Sequence, residues 1–127
     1  MSKASKATAS QVEEVPGQFE GRYEELGGYT VGFERFDEAM DPAPLFRGLP
    51  DDRCQSPHWG IVQSGEITFR YADGTEDRVS AGEVYYARPG HLPVLAAGTE
   101  LVEFSPTDGI RETMEVVTRN LEAMQSA

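Results

Sequence analysis

Asp52-Arg53-Cys54-Gln55-Ser56-Pro57-His58-Trp59-Gly60-Ile61-Val62-Gln63-Ser64-Gly65 gathers the only Cys, the only Trp and one of the two His of the chain. It follows a loop in which Asp41-Pro42-Ala43-Pro44 and Leu49-Pro50 forbid regular structure, because each Pro removes a backbone donor and restricts the residue before it. Beyond it, the spacing of apolar residues predicts short strands. Residues 59–62, a turn at Gln63-Ser64-Gly65 and residues 66–71 read as a hairpin, and Ala72-Asp73-Gly74-Thr75 is a second turn with Asp-Gly at its centre. Strands over 76–80, 84–87, 91–96 and 101–104 follow, separated by Ala81-Gly82, Arg88-Pro89-Gly90 and Ala97-Gly98-Thr99. Strands at such regular short intervals, punctuated by Gly turns, predict a small all-β barrel or two-sheet sandwich.

Upstream, residues 29–36 alternate Tyr29, Val31, Phe33 and Arg35 against Thr30, Gly32, Glu34 and Phe36, which is strand periodicity. Gly17 to Glu25 is a weaker edge strand, and residues 1–15, without periodicity, read as a disordered tail. Downstream, Ile110, Met114, Val117, Leu121 and Met124 recur at spacings of four and three, and Ser105-Pro106-Thr107-Asp108 offers a cap and a Pro at the first helical position. One amphipathic helix over 106–127 is expected, packed on the outside of the barrel or on a second subunit, with the barrel over 16–105.

Composition narrows the function classes. The chain has 127 residues, one domain by size. With 22 acidic against 11 basic side chains the net charge is −11, which opposes nucleic acid and anionic membrane surfaces, both of which select clustered Lys and Arg. No apolar run reaches the length of a membrane span. One Cys forms no internal disulfide, and an N-terminus without an apolar core points to the cytoplasm.

From Cys54 to Gly98 the spacings resemble the cupin family, small jelly-roll β-barrels in which two motifs supply metal ligands to the interior. The first motif has two His one residue apart, a Glu three or four residues on, and a Gly after six more. Gly65 matches the Gly, His58 stands at the Glu position, and Cys54 and Asp52 stand at the two His positions. The second motif runs Gly, five residues, Pro, one residue, Gly, two residues, His. Gly82, Arg88, Gly90 and Pro93 occupy that register, and His91 lies two residues before Pro93 on the same side of an extended strand.

The resemblance implies an all-β cupin-type antiparallel barrel with one C-terminal helix and a divalent metal held by Cys54, His58 and His91, with Asp52 the weakest member. One thiolate and two imidazoles favour zinc over iron or manganese. It further implies a small-molecule substrate or ligand, a homodimer, and an isomerase, lyase, hydrolase or dioxygenase activity. A non-catalytic ligand-binding or sensing module is the alternative, and a metal-free oligomeric scaffold a third.

Each residue also has a plain structural reading. Cys54 serves as a small buried hydrophobe, the two His as capped or core residues, and Asp52 as a loop cap. Trp59 should face away from His58, while Gly60 and Val62 share its side. One of Tyr85 and Tyr86 lines the cavity, with Tyr86 taken as a candidate proton carrier. Glu103, between Val102 and Phe104, is either exposed or an inward general base with a pKa raised by burial. Arg88 pairs with surface acids or attracts a substrate carboxylate. Ser64 has no His or acid at a readable spacing, so a Ser nucleophile is not supported.

Overall fold

Period-two alternation of inward and outward side chains runs through nine strands. In the computed structural model, which describes residues 2–126, β1 (Gln11–Val15), β2 (Phe19–Leu26), β3 (Tyr29–Phe36), β4 (His58–Ser64), β5 (Glu66–Tyr71), β6 (Glu76–Ser80), β7 (Val84–Ala87), β8 (His91–Leu95) and β9 (Thr99–Pro106) precede the helix α1 (Thr107–Ser126). All pairs are antiparallel. The strands make a six-stranded sheet in the order β1-β2-β3-β9-β4-β7 and a three-stranded sheet in the order β6-β5-β8. Phe36, Val62 and Leu101 from the larger sheet meet Ile67, Phe69 and Leu95 from the smaller in one core. This is the all-β jelly-roll architecture, with one C-terminal helix, that the turn spacing predicts.

Three local expectations need correction. The tail expected over 1–15 ends in a strand, since β1 pairs with β2 from Gln11 opposite Tyr23 to Val15 opposite Phe19. Backbone pairing at a sheet edge needs no apolar alternation, so the charged Glu13 and Glu14 conceal it. The hairpin expected over 59–71 is absent. β4 pairs with β7 and β9, whereas β5 pairs with β6 and β8, so Gly65 is the corner where the chain leaves one sheet for the other. Finally, Pro106 closes β9 instead of opening the helix, which starts at Thr107. Met1 and Ala127, the ends of the expected tail and helix, lie outside the described residues.

The helix packs over the interior of the barrel. Val116, Val117 and Leu121 pack against Leu45, Phe46, Leu49 and Cys54, which belong to the long loop between β3 and β4. Asn120 clamps that loop by donating from Nδ2 to the carbonyls of Leu45 and Arg47, both at 2.8 Å. Ile110, Met114, Val117 and Leu121 therefore wall the interior cavity rather than cover an outer sheet face. No described helix is long and apolar enough to cross a membrane.

The Gly65 corner is tight. Its φ is +77°, and an added Cβ would lie 2.6 Å from the Thr99 Cα. Thr99 is fully buried and stitches the corner: its one O–H lies within reach of the carbonyls of Ala96 (2.7 Å) and Glu66 (3.0 Å), and Oγ1 accepts from the Glu66 N–H (3.1 Å). A Gly65→Ala substitution combines a left-handed backbone with overpacking, and is expected to destabilise the protein by about 2–4 kcal/mol. A shift of the urea midpoint equivalent to less than roughly 0.5 kcal/mol, the usual range of a neutral surface substitution, would show that the corner is not constrained in this way.

Candidate functional site

The site starts from backbone pairing. The Cys54 N–H donates to the His91 carbonyl at 2.9 Å, and the Gly90 N–H returns to the Cys54 carbonyl at 2.7 Å. The loop before β4 is thereby fixed against the start of β8. His58 opens β4 opposite Ala87, the last residue of β7, so it stands on the other side of the Arg88-Pro89-Gly90 turn from His91. Cys54, His58 and His91 converge with one donor atom each, all within 4.8 Å of one another, and all three are buried.

Each ring is oriented by a neighbour. His58 Nδ1 lies 2.7 Å from Ser105 Oγ, and His91 Nδ1 donates to the Arg88 carbonyl at 2.7 Å. With both Nδ1 atoms engaged, Nε2 is the nitrogen left for the interior, and His58 Nε2 lies 3.4 Å from Cys54 Sγ. Outer partners that fix tautomer and ring plane in this way characterise metal-binding imidazoles. Burial holds His58 down to about 3, and burial together with His58 holds His91 down to about 3, so both are neutral. Burial pushes the Cys54 thiol up to about 11, against hydrogen bonds from Thr113 and Ser56. The donor set fits a divalent cation, which would displace the thiol proton.

Next to His58 is a second polar group, one the sequence reading touched only in part. Glu103 on β9 faces inward, with Oε1 3.4 Å from His58 Nδ1. Burial raises its carboxyl to about 7, and the neutral imidazole beside it makes this a contact rather than an ion pair. Tyr85 donates to Glu103 Oε2 at 2.5 Å. Gly60 makes the room, since a Cβ there would lie 2.6 Å from the Tyr85 ring. Alongside, Tyr23 donates to Glu34 Oε2 at 2.6 Å, and burial followed by the charge of Glu103 raises Glu34 to about 8.

Placement of the remaining residues follows strand parity. Ala87 and Gly60 face inward with His58, which puts Tyr85 inside and leaves Tyr86 half-exposed on the outer face, away from the cluster. Asp52 also stays outside. It is exposed in the left-handed region (φ 54°) and accepts from the Gly48 N–H at 3.0 Å, which is the loop-capping role. Arg88 pairs with Asp73 at 3.4 Å and stacks 3.5 Å over the Tyr71 ring, so it does not enter the cavity. Trp59 lies on the outer face as its parity requires. Two residues escaped the sequence reading. Ser105 reads there as a helix cap, yet its hydroxyl serves His58. Glu34 shares a strand face with Gly32 and Phe36, and that apolar parity was the available signal for an inward carboxyl.

No family model matches the chain, and no curated protein matches it with significance. Solved structures do resemble it. A protein of unknown function from Rhizobium leguminosarum bv. viciae superposes with a TM-score of 0.55 at 22% identity, covering 83% of this chain and 94% of that one. The polyketide cyclase RemF from Streptomyces resistomycificus gives 0.55 at 13%, covering 84% and 79%. An RmlC-like cupin from Shewanella frigidimarina gives 0.50 at 18%, covering 76% and 83%. The fold of this chain is that of a small cupin domain.

Proposed function

We propose that the protein is a small metal-binding cupin domain, and most simply an enzyme that acts on a small organic molecule in the interior cavity. One observation carries this: Cys54, His58 and His91 converge with both imidazoles presenting Nε2, at the wall of a cavity that also holds proton-carrying carboxyls. Three protein ligands of nitrogen and sulfur favour zinc and leave a position open. When bound, such a cation supplies a Lewis acid for a substrate oxygen or a bound water.

The chain's own residues would handle the proton. Glu103, raised to about 7, exchanges a proton readily at neutral pH, which is the property of a general acid or base. Tyr85 fixes its orientation, and Ser105 holds the His58 ring with Nδ1 toward Glu103 and Nε2 toward Cys54. A reducing cytoplasm suits a centre built on an unpaired thiol.

Homodimerisation belongs to the same reading. Tyr29, Trp59, Ile61, Val84, Tyr86 and Phe104 are exposed large apolar residues, and strand register places Trp59 beside Tyr86 and Phe104, and Ile61 beside Val84. A contiguous apolar sheet face on a chain with net charge −11 is an interface rather than a solvated surface. Sedimentation at micromolar concentration is expected to show a dimer that Trp59→Glu converts to a folded monomer. A wild-type monomer would remove this part of the proposal.

Protein purified without chelator is expected to carry about one equivalent of divalent metal by elemental analysis, as a single three-ligand site requires. Cys54→Ser and His91→Gln should each lose most of it. Chelation should destabilise the wild type by at least about 3 kcal/mol, the size expected for a ligand held well above its Kd. Unchanged metal content in both variants rules out this centre.

Linkage gives a further expectation for the metal-free protein. His58 and His91 are depressed from 6.5 to about 3, so the unfolded state binds more protons than the folded one between those values. Their contribution is complete above pH 6.5 and shrinks as the pH falls toward 3. Glu34 and Glu103 are raised from 4.5 to about 8 and about 7, so theirs is complete below pH 4.5 and is lost as the pH climbs through those values. The opposing slopes cancel between 4.5 and 6.5. Chemical denaturation should show a stability plateau there, with losses of roughly 1–3 kcal/mol per pH unit on either side. Stability that rises steadily from pH 5 to 8 contradicts the neutral assignments.

A further inference from the structure

The interior cavity, about 210 Å³, shares Tyr23, Glu34, Glu103, Ile110, Met114 and Thr118 with a wider groove of about 570 Å³ between α1 and the inner side of β1–β3. Among the described residues no Lys or Arg lines the interior cavity, whereas Glu13, Glu34, Glu38 and Glu103 do. Arg111 and Arg119 reach only the outer groove, where both are exposed and Arg111 is paired with Glu25 and Asp108 at 3.7 Å each. Apart from Gln18, Tyr23, Thr118 and the Cys54–His58–His91 cluster, the rest of the interior wall is apolar, with Phe19, Phe36, Met40 and Phe69 among it. An anionic ligand would enter this cavity with no countercharge from the side chains, at a high desolvation cost.

We propose that Glu34, held by Tyr23, is the polar anchor for an uncharged, mostly apolar ligand bearing a hydroxyl group, with a fused-ring phenol as the fitting class. This rests on the reading of the interior as the substrate pocket and adds the kind of molecule the pocket takes. Size supports it. An apolar cavity of about 150 Å³ holds benzene, so the volume here accommodates a second ring. Geometry supports it as well. Tyr23 lies against Gly32, where a Cβ would come within 2.9 Å of its ring, and this fixes its hydroxyl on Glu34 Oε2. Oε1 is then left for the ligand, and the carboxyl, uncharged at neutral pH, can donate to the ligand oxygen or accept from its hydroxyl. Glu34 does not belong to the Cys54–His58–His91 set, so this recognition is separable from metal binding.

The test is calorimetric or fluorescence titration at pH 7 with 2-naphthol, naphthalene, 2-naphthoate and 2-(aminomethyl)naphthalene, on the protein as purified and again after chelation. In both states 2-naphthol should bind about five- to ten-fold more tightly than naphthalene, the worth of one neutral hydrogen bond. In the chelated state 2-naphthoate should bind at least about 100-fold more weakly than 2-naphthol. Glu34→Leu should bind naphthalene as the wild type does while losing the preference for 2-naphthol. Retained naphthalene binding serves as its control for folding, and Tyr23→Phe, with one oxygen removed, should reduce the preference if the Leu variant does not fold. Tighter binding of the amine than of 2-naphthol, equal binding of naphthoate after chelation, or an unchanged preference in the folded Glu34→Leu protein overturns the proposal. A preference that vanishes on chelation alone assigns the hydroxyl to the metal and overturns it too. Absence of metal from the purified protein defeats the proposed centre and leaves the Glu34 comparison standing.

Discussion

The hydrogen bonds between Cys54 and the Gly90–His91 segment are the contact on which the site depends. A loop with Pro42, Pro44, Pro50 and Pro57 has few donors, and its local turns, such as Asp52 N–H to the Leu49 carbonyl (2.8 Å) and Arg53 N–H to the Pro50 carbonyl (3.1 Å), stop short of the Cys. Pairing with the first residue of β8 sets that direction, and it does so through the backbone, which is indifferent to side-chain identity. The helix then lies on the fixed loop. Thr113 Oγ1 reaches Cys54 Sγ at 3.6 Å, and Asn120 ties down the loop carbonyls, so α1 and the loop close the cavity together. A domain that placed its helix on the outer sheet would leave this end open.

Burying carboxyls without cations imposes a second constraint. Glu34 and Glu103 lie beside one another in an interior that offers no Arg or Lys among the described residues, and a pair of charged carboxylates there would be unstable. The structure answers with phenols. Tyr23 and Tyr85 each donate to one carboxylate oxygen, and each occupies space that a glycine on the facing strand leaves clear, Gly32 for the first and Gly60 for the second. The two Gly, which flank Glu103 from the strands on either side of it, are thus part of the polar site. Burial raises both acids and the phenol bonds pull them back down, which leaves them protonatable near neutrality next to a potential metal centre, a combination suited to proton transfer.

Much of the fold was legible because turns are local chemistry. Gly74, Gly82, Gly90 and Gly98 all have positive φ, and each falls where the sequence placed a turn. What pairs across the sheets is not local, so the corner at Gly65 reads in sequence as a hairpin although its two strands enter different sheets. The candidate site divides along the same line. Cys54, His58 and His91 are legible from spacing, because the Gly framework fixes their register. Asp52 satisfied the same count but sits in a loop whose left-handed backbone turns it toward the Gly48 N–H, and spacing does not report backbone handedness. Ser105 and Glu34 were missed for a shared reason: their roles come from a partner on another strand, His58 for one and Tyr23 for the other.

The protonation pattern bears on which chemistry the Cys54–His58 contact can perform. At 3.4 Å the pair has the spacing of a nucleophile and its base, and on geometry alone a thiolate–imidazolium couple is conceivable. Reactive cysteines of that kind sit in electropositive, partly exposed surroundings that lower the thiol pKa. Here both shifts run the other way, the thiol up to about 11 and the imidazole down to about 3, because burial penalises each charged form and, among the described residues, no cationic side chain lines the cavity to offset it. A charge must therefore come from outside the chain to make the thiolate, and a divalent cation at the three donors supplies it while tolerating neutral imidazoles. The same environment that makes Cys54 a poor nucleophile makes the cluster a coherent set of ligands.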